Sequence, residues 1–384
     1  MNKYLQSSLF ATLCLLQATA LLAEPTPLAM SLPEAEETLI SVALQGKHQK
    51  YPAPERGLPP MKNGEYSYKV WLPKGYNAQK TRNWPCIFIV SPTGKAGMGP
   101  MREHLCAGAY IVVMLQEAAA GGLHRENFLS AHDDVVQRLR VASRLKFATG
   151  FAGGARIASL VVQYRPGFVG LFQQGAGFAF SKTSGQYFIA NLPQSNFAIA
   201  TSIGSGDSVS FEEWVKLFGS MPPAQWLPII TLEGHRWSSA PTASLAFMFI
   251  ESMALAEGGV TADTKLLARN WIPRHISIIA DLSQLEKIMH GERILKAAAR
   301  QGLAGEIAAK TLREDLQKWR KEGDYEKELS AEKAWQALLR SSLKNKIPKP
   351  KRLKAFADFG EKYFGTKAAQ KARIFEEGIK KNMQ

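Results

Sequence analysis

The stretch KFATGFAGGARIA, residues 146–158, decides how the chain is read. Phe147, Ala148 and Thr149 read as the end of a buried strand. Gly150-Phe151-Ala152-Gly153-Gly154 reads as a turn. From Ala155 a helix is predicted, with Ile157, Leu160, Val161 and Tyr164 on one face at the 3.6-residue period. The whole has the form of a nucleophile elbow, G-x-S-x-G, in which the outer small residues let strand and helix pass close together. Gly150 and Gly154 fill the outer places, and Ala152 stands in the middle. A methyl side chain has no lone pair for attack and no proton to give a base. The sequence therefore carries the frame of an elbow without its nucleophile.

Outward from this stretch, short apolar runs alternate with helical periodicity. Residues 66–72 alternate as a strand, 86–90 form a run of the kind buried on both faces of a sheet, and 109–115 give the next strand. Residues 127–141 predict an amphipathic helix with Phe128, Val135, Val136 and Leu139 inward. Beyond the elbow, strands are predicted at 170–174, 197–203 and 229–232, the last just after Pro228, and a long apolar helix at 241–257. Strands spaced for crossover connections argue an α/β fold, a doubly wound, mostly parallel sheet covered on both faces. Ligands gather at the carboxyl ends of the strands in such sheets. The elbow, the loop Ser91-Pro92-Thr93-Gly94, Asp207 and His235 all follow predicted strands, which puts them on one rim. Residues 33–44 read as a short helix. After residue 259 the pattern is helical alone, at 266–288, 292–300, 303–321, 325–343, 353–364 and 368–381.

Two more motifs fall in a defined order. Ser205-Gly206-Asp207 follows one predicted strand and Gly234-His235-Arg236-Trp237 the next, so the order is 152, Asp207, His235. That is the Ser…Asp…His order of α/β-hydrolases, and it differs from the orders in the chymotrypsin and subtilisin folds. On these residues, 66–257 resemble the α/β-hydrolase superfamily. They look most like its secreted esterase branch, near polyhydroxybutyrate depolymerases and feruloyl or acetylxylan esterases, which carries G-F-S-G-G at the elbow and a late G-H-x-W motif. The resemblance implies that position 152 is the nucleophile's place, that His235 would move its proton, and that Asp207 would fix the histidine's tautomer. It also implies an oxyanion hole from the N–H of Gly153 and a donor near Thr93 and Gly94. Trp226 and Trp237 suit packing first, and the cleft mouth as the alternative.

Other readings of the same residues stand beside these. Asp207 suits the cap of a helix starting near Ser208, and His235 suits a relic histidine bonded to Asp207. Ser91, Ser159, Ser205, Ser208 and Cys106 are the other candidate nucleophiles, and none sits as an elbow serine does. Asp133 and Asp134 are adjacent, and neighbours on a helix point away from each other. Arg156 reads as a structural hydrogen-bonding group. No cofactor is expected and no metal, since His104, His124, His132, His275 and His290 share no ligand spacing and there is no CxxC. Gly94-Lys95 lacks the rest of a P-loop.

At 384 residues the chain suggests two domains, and a hydrophobic fraction of 46% can build a sizeable core. Residues 1–23 read as a signal peptide: Lys3, an apolar run over 9–16, and a small-residue exit at Ala18-Thr19-Ala20 or Leu21-Leu22-Ala23. A secreted or periplasmic protein is expected. Leu13 before Cys14 argues against a lipid anchor, and no later run is long enough for a transmembrane helix. Cys86 and Cys106 read as two buried thiols, with one disulfide left open. A Pro-rich segment over 24–61 precedes an α/β-hydrolase-like domain over 62–258 and a basic helical region over 259–384. From residue 262 on there are 27 Lys and Arg against 16 Asp and Glu, which holds most of the net charge of +15. Such a tail suits an anionic surface or a plain lysine-rich solvated face, and no nucleic-acid motif accompanies it. The last helical pair faintly resembles a tetratricopeptide-type hairpin, without a 34-residue repeat.

The expectation is an exported α/β-hydrolase-fold protein, impaired at Ala152, keeping a cleft for an ester, a polysaccharide or a partner protein. Two alternatives remain: an esterase on carbohydrate or polyester esters with another nucleophile, and a scaffold acting through the basic tail.

Overall fold

The computed structural model describes residues 32–44 and 61–381, apart from short stretches at 120–121, 182–183, 190–191, 194–196, 205, 219–225, 258–261, 281, 304, 324 and 346. The signal peptide, most of the Pro-rich segment and Ser205 lie outside the described residues.

Eight strands form one sheet: β1 (Glu37–Ala43), β2 (Glu65–Trp71), β3 (Trp84–Val90), β4 (Ile111–Leu115), β5 (Val141–Phe151), β6 (Phe168–Gln174), β7 (Ala198–Gly204) and β8 (Trp226–Thr231). Their order across the sheet is β1-β2-β4-β3-β5-β6-β7-β8. Only β2 runs against the rest, pairing antiparallel with both β1 and β4. The other pairs are parallel. The helices of the first part are α1 (Arg102–Ala107), α2 (His124–Arg138), α3 (Gly153–Tyr164), α4 (Ser208–Phe218) and α5 (Ala240–Glu257). This is an α/β-hydrolase sheet, followed by helices α6 (Ala262–Ile279), α7 (Gln284–Arg300), α8 (Ile307–Lys321), α9 (Glu326–Lys344), α10 (Lys349–Lys362) and α11 (Lys367–Lys381).

The two-residue period of the strands divides the core into two. Cys86, Phe88 and Val90 of β3 face one core, with Phe128, Val161 and Trp214 from the covering helices. Ile87 and Ile89 face the other, with Leu105, Phe247 and Ile250. The late helices complete both: Trp335, Phe356 and Phe375 join the first core, and Trp271, Ile288 and Leu312 the second.

Several sequence expectations are corrected. Residues 33–44 are not a helix, because Glu37–Ala43 pairs with β2 as an edge strand. Thr38, Ile40 and Val42 are β-branched, and sheet pairing overrides the helix preference of the Glu-rich start. Helix α2 ends at Arg138, and Val136 is exposed, while His132 and Asp134 lie on the buried face. Pro228 lies within β8, not before it. β8 is an edge strand, where a missing N–H is tolerated. The helix predicted over 266–288 is two helices. A capping box at Ser283 and Glu286 starts α7 and separates it from α6.

Charged groups that the sequence did not connect are buried between elements. Glu251 of α5 is fully buried and accepts hydrogen bonds from Tyr110 (2.5 Å), His104 Nε2 (3.1 Å), His275 Nε2 (3.2 Å) and Arg274. Burial alone would raise its carboxyl, but Arg274 and the histidines hold it well below the usual range. On the other face Lys146 Nζ meets His132 Nε2 at 2.9 Å, while Asp133 pairs with Arg165 at 2.8 Å. Asp134 instead accepts from Tyr68 at 2.7 Å, so the two neighbouring aspartates serve different partners.

Burial keeps these histidines neutral: His132 is pushed down to about 4, and His275 and His290 to about 3. In the unfolded chain each titrates near about 6.5. The unfolded state thus binds more protons as the pH falls below that value, so stability is complete above it and declines toward the folded values. The urea midpoint is expected to fall between pH 7.5 and pH 5, each histidine adding at most about 1.4 kcal/mol per pH unit. Equal midpoints at the two pH values would contradict neutral buried imidazoles.

Candidate active site

The site is built where β3, β5, β6, β7 and β8 end. β5 pairs with β3 up to Val90 opposite Gly150, and with β6 up to Gln174 opposite Phe151. The chain then reverses into α3 through Ala152, whose φ of 48° and ψ of −119° lie in the strained region that favours glycine. The Ala152 N–H donates to the Gln174 carbonyl at 2.8 Å, and the Ala152 carbonyl accepts the Ala155 N–H at 3.0 Å. The outer glycines are required by space. A Cβ on Gly150 would run into the carbonyl oxygen of Gly154, and one on Gly154 would lie 2.5 Å from the Val90 carbonyl oxygen. Strand and helix therefore approach as closely as a nucleophile elbow demands, and the residue at its apex is an alanine.

Asp207 follows β7, and its N–H donates to the Gly204 carbonyl at 2.9 Å. Its Oδ1 accepts the Ser210 N–H (3.1 Å), and its Oδ2 accepts the Ser210 hydroxyl (2.8 Å) and faces His235 Nδ1 (3.2 Å). The helix cap and the histidine partner, which the sequence offered as alternatives, are one arrangement. A Cβ on Gly204 would collide with the Glu233 carbonyl, so this glycine lets the turn carrying His235 close over the end of β7. The His235 ring lies 4.9 Å from the Phe151 ring, and its side chain is 53% exposed. Trp237 packs on the same Phe151 at 5.5 Å. Trp226, by contrast, is buried within the sheet, with its Nε1 donating to Thr201 at 2.8 Å, so it does not line the cleft mouth.

A buried polar chain ties these parts together, and the sequence reading missed it. Gln174 donates from its side chain to Thr149 Oγ1 (3.0 Å) and accepts the Ser238 N–H (3.0 Å). Ser238 Oγ lies 2.6 Å from Ser202 Oγ. Gln174 thus joins the ends of β5 and β6 to the histidine turn. The available signal was the pair Gln173-Gln174 closing an otherwise apolar strand.

Gly153 opens α3, where the first N–H groups of a helix have no partner within the helix and the dipole favours negative charge. The loop after β3 turns at once: the Gly94 N–H donates to the Ser91 carbonyl at 3.2 Å with φ of 79°, and Thr93 Oγ1 lies 3.0 Å from Ser91 Oγ. Thr93 is exposed beside the start of α3, where Gly154 packs on Val90 and Ser91. The Gly94 and Thr93 N–H groups are therefore both turned onto Ser91, the second through Ser91 Oγ at 3.3 Å, and are not the oxyanion donors the resemblance implies. A carbonyl oxygen placed between the Gly153 N–H and His235 would meet one preorganised backbone donor of the kind an acyl-transfer intermediate needs. Two of the other candidate nucleophiles, Ser159 and Ser91, are held in hydrogen bonds of their own. Ser159 is fully buried, donates to the Arg156 carbonyl (2.6 Å) and accepts the Ala179 N–H (3.0 Å). Ser91 is buried against Thr93, and Cys106 sits in α1, which leads into the start of β4. Both described cysteines are free thiols. Arg156 donates to the Phe178 carbonyl and pairs with Glu213. Among the described residues no group of three or more His, Cys, Asp or Glu is arranged to hold a metal ion.

No family model matches the sequence, and neither does any curated protein. Among solved structures the chain is similar to an IroE-like serine hydrolase from Shewanella oneidensis, at 12% identity over 73% of this chain and 100% of that one, with a TM-score of 0.38. It is similar to a ferulic acid esterase at 12% identity over 56% of this chain and 97% of that one, TM-score 0.37. A third is oligopeptidase B from Leishmania major, at 14% identity over 61% of this chain and 37% of that one, TM-score 0.35. Likeness of this degree says nothing of this chain's chemistry.

Ala152→Gly is expected to stabilise the protein by about 1 kcal/mol, the relief of backbone strain exceeding the entropy lost by glycine. Gly150→Ala is expected to cost at least about 3 kcal/mol, since the collision is with backbone. Urea unfolding measures both. A destabilised Ala152→Gly would show that the apex carries no strain.

Proposed function

We propose that this chain is a hydrolase-fold protein that binds an ester-bearing ligand and does not cleave it. The observation that carries the reading is the strained apex at Ala152, kept together with an Asp207–His235 contact of 3.2 Å. Strain at such a position costs of order 1–3 kcal/mol and persists where the surroundings impose it for a purpose. In a working triad the histidine takes the serine's proton and the aspartate holds the histidine's tautomer. Here His235 has no hydroxyl to deprotonate at position 152, so no acyl intermediate forms on this chain. What remains is recognition: the N–H of Gly153 and the exposed Thr93 hydroxyl for a carbonyl oxygen, and Trp237 and Phe151 for the flanking group. Loss of the serine in a triad costs about 10⁶ in turnover, while binding and oxyanion donors keep about 10³–10⁴ over water.

The reading extends to setting. Residues 1–23 serve as a signal peptide, and the mature protein works outside the cytoplasm. Among the described residues no helix is long and apolar enough to cross a membrane. The ligand class proposed is an ester on a polysaccharide or polyester, as the resemblance to secreted esterases suggests. The region after residue 259 is proposed as a helical region that braces the hydrolase-like part.

The test is turnover of p-nitrophenyl acetate and butyrate by the mature protein, with Ala152→Ser and the double variant Ala152→Ser/His235→Ala beside it. Wild type should stay at background. Ala152→Ser should gain at least about 100-fold, and the double variant should lose that gain. Wild-type turnover well above background, or a silent Ala152→Ser that remains folded, would overturn the reading.

A further inference from the structure

Where the late helices meet the outer edge of β8 there is a cavity of about 290 Å³. It is bounded by β8, the start of α5, and helices α7, α9 and α11. One wall is apolar, made by Leu227, Ile229, Leu245, Leu285 and Met289. Next to Leu285 and Met289 on the same helix, His290 and Arg293 lie one turn apart on α7 and both line the space.

These two side chains are the unusual feature. His290 is 8% exposed and makes no hydrogen bond among the described residues. Burial, with Arg293 and His275 nearby, keeps its imidazole neutral, so it offers one N–H and one lone pair. The carboxylate nearest Arg293 is Glu332 at 3.8 Å, beyond hydrogen-bond distance. Glu332 is already held by Lys371 at 3.3 Å and Gln336 at 3.1 Å. The other carboxylates of the lining are engaged as well. Glu286 accepts from Ser283, Glu328 from the backbone of Lys367, and Glu233 from the backbone of Ser239. A guanidinium fork, ion-paired to Glu332 without a hydrogen bond, and a neutral imidazole therefore face a space that is apolar along Leu285 and Met289 and elsewhere lined by engaged carboxylates and by Lys367 and Lys371, with no hydrogen-bond acceptor for either group among the described residues. The planar fork of arginine matches a carboxylate through two parallel bonds.

We propose that this cavity binds a small organic monocarboxylate, with its carboxylate on Arg293 and His290 and its hydrocarbon body against the Leu285–Met289 wall. The volume is at the lower end of small-molecule sites, roughly 300–1,000 Å³. That suits an acid of medium chain or single-ring size. The site stands apart from the elbow, and its ligand needs no reaction there.

The experiment is calorimetric titration of the full mature chain with octanoate and phenylacetate, and with octanol and 2-phenylethanol as neutral counterparts. The acids should bind, and the alcohols should bind at least about tenfold more weakly. Arg293→Gln, at a side chain 30% exposed, should weaken the acids about tenfold and leave the alcohols unchanged. Met289→Trp, which fills the apolar wall, should weaken both classes. His290→Leu should lower acid affinity alone, and circular dichroism checks that each variant is folded. The proposal fails if neither acid binds, if acids and alcohols bind equally, or if folded Arg293→Gln binds the acids as wild type does.

Discussion

The distance between two backbones governs this molecule. Gly154 presses against the carbonyl of Val90, and Gly150 lies under the carbonyl of Gly154, so β3, β5 and α3 converge with no room for a side chain at either place. That convergence forces the chain through Ala152 at a positive φ. The strain is sustained by pairing on both sides of β5 and by the bond from Ala152 to Gln174. Gln174 then reaches Ser238, and Ser238 fixes the turn that presents His235 to Asp207. The rim is one connected object, and its geometry does not depend on what side chain the apex carries.

Beneath the rim, buried charge links layers that apolar packing alone would let slide. Glu251 gathers partners from α1, from Tyr110 just ahead of β4, and from α6 around one carboxylate. Removing one partner of such a group leaves an uncompensated buried charge, at a cost of about 3–5 kcal/mol. Hydrocarbon contacts tolerate small shifts, whereas a carboxylate with four directed partners admits one arrangement. The late helices are held in register by this cluster on one face and by Arg352, buried and paired with Glu212 of α4, on the other.

The strands were legible in the sequence because a doubly covered sheet needs short apolar runs, and 86–90 and 109–115 supply them. The elbow was legible because close approach demands glycine at fixed places. Asp207 and His235 were legible through their order along the chain. What escaped was what depends on partners distant in sequence. β1 is a strand because β2 lies beside it, and its Glu-rich start reads as helix in isolation. β8 runs through Pro228 because only one of its sides must bond to a neighbour. The partners of Glu251 lie 147, 141, 24 and 23 residues away, at separations no local period encodes. Gln174 closes an apolar strand, and its role follows only from Thr149 of β5, the elbow at Ala152 and the turn at Ser238 meeting on it.

The placement of the last helices has a consequence for synthesis. Phe356, Phe375 and Ile379 belong to the same core as Phe88 and Val113, although hundreds of residues separate them in order of birth. A ribosome emits about 5–20 residues per second, so the stretch from the end of α5 to the end of α11 takes roughly ten seconds to appear. Throughout that interval the sheet is complete in sequence but uncovered on parts of both faces. The nascent chain therefore keeps parts of both cores open until α11 has been made, and α11 acts as the clasp.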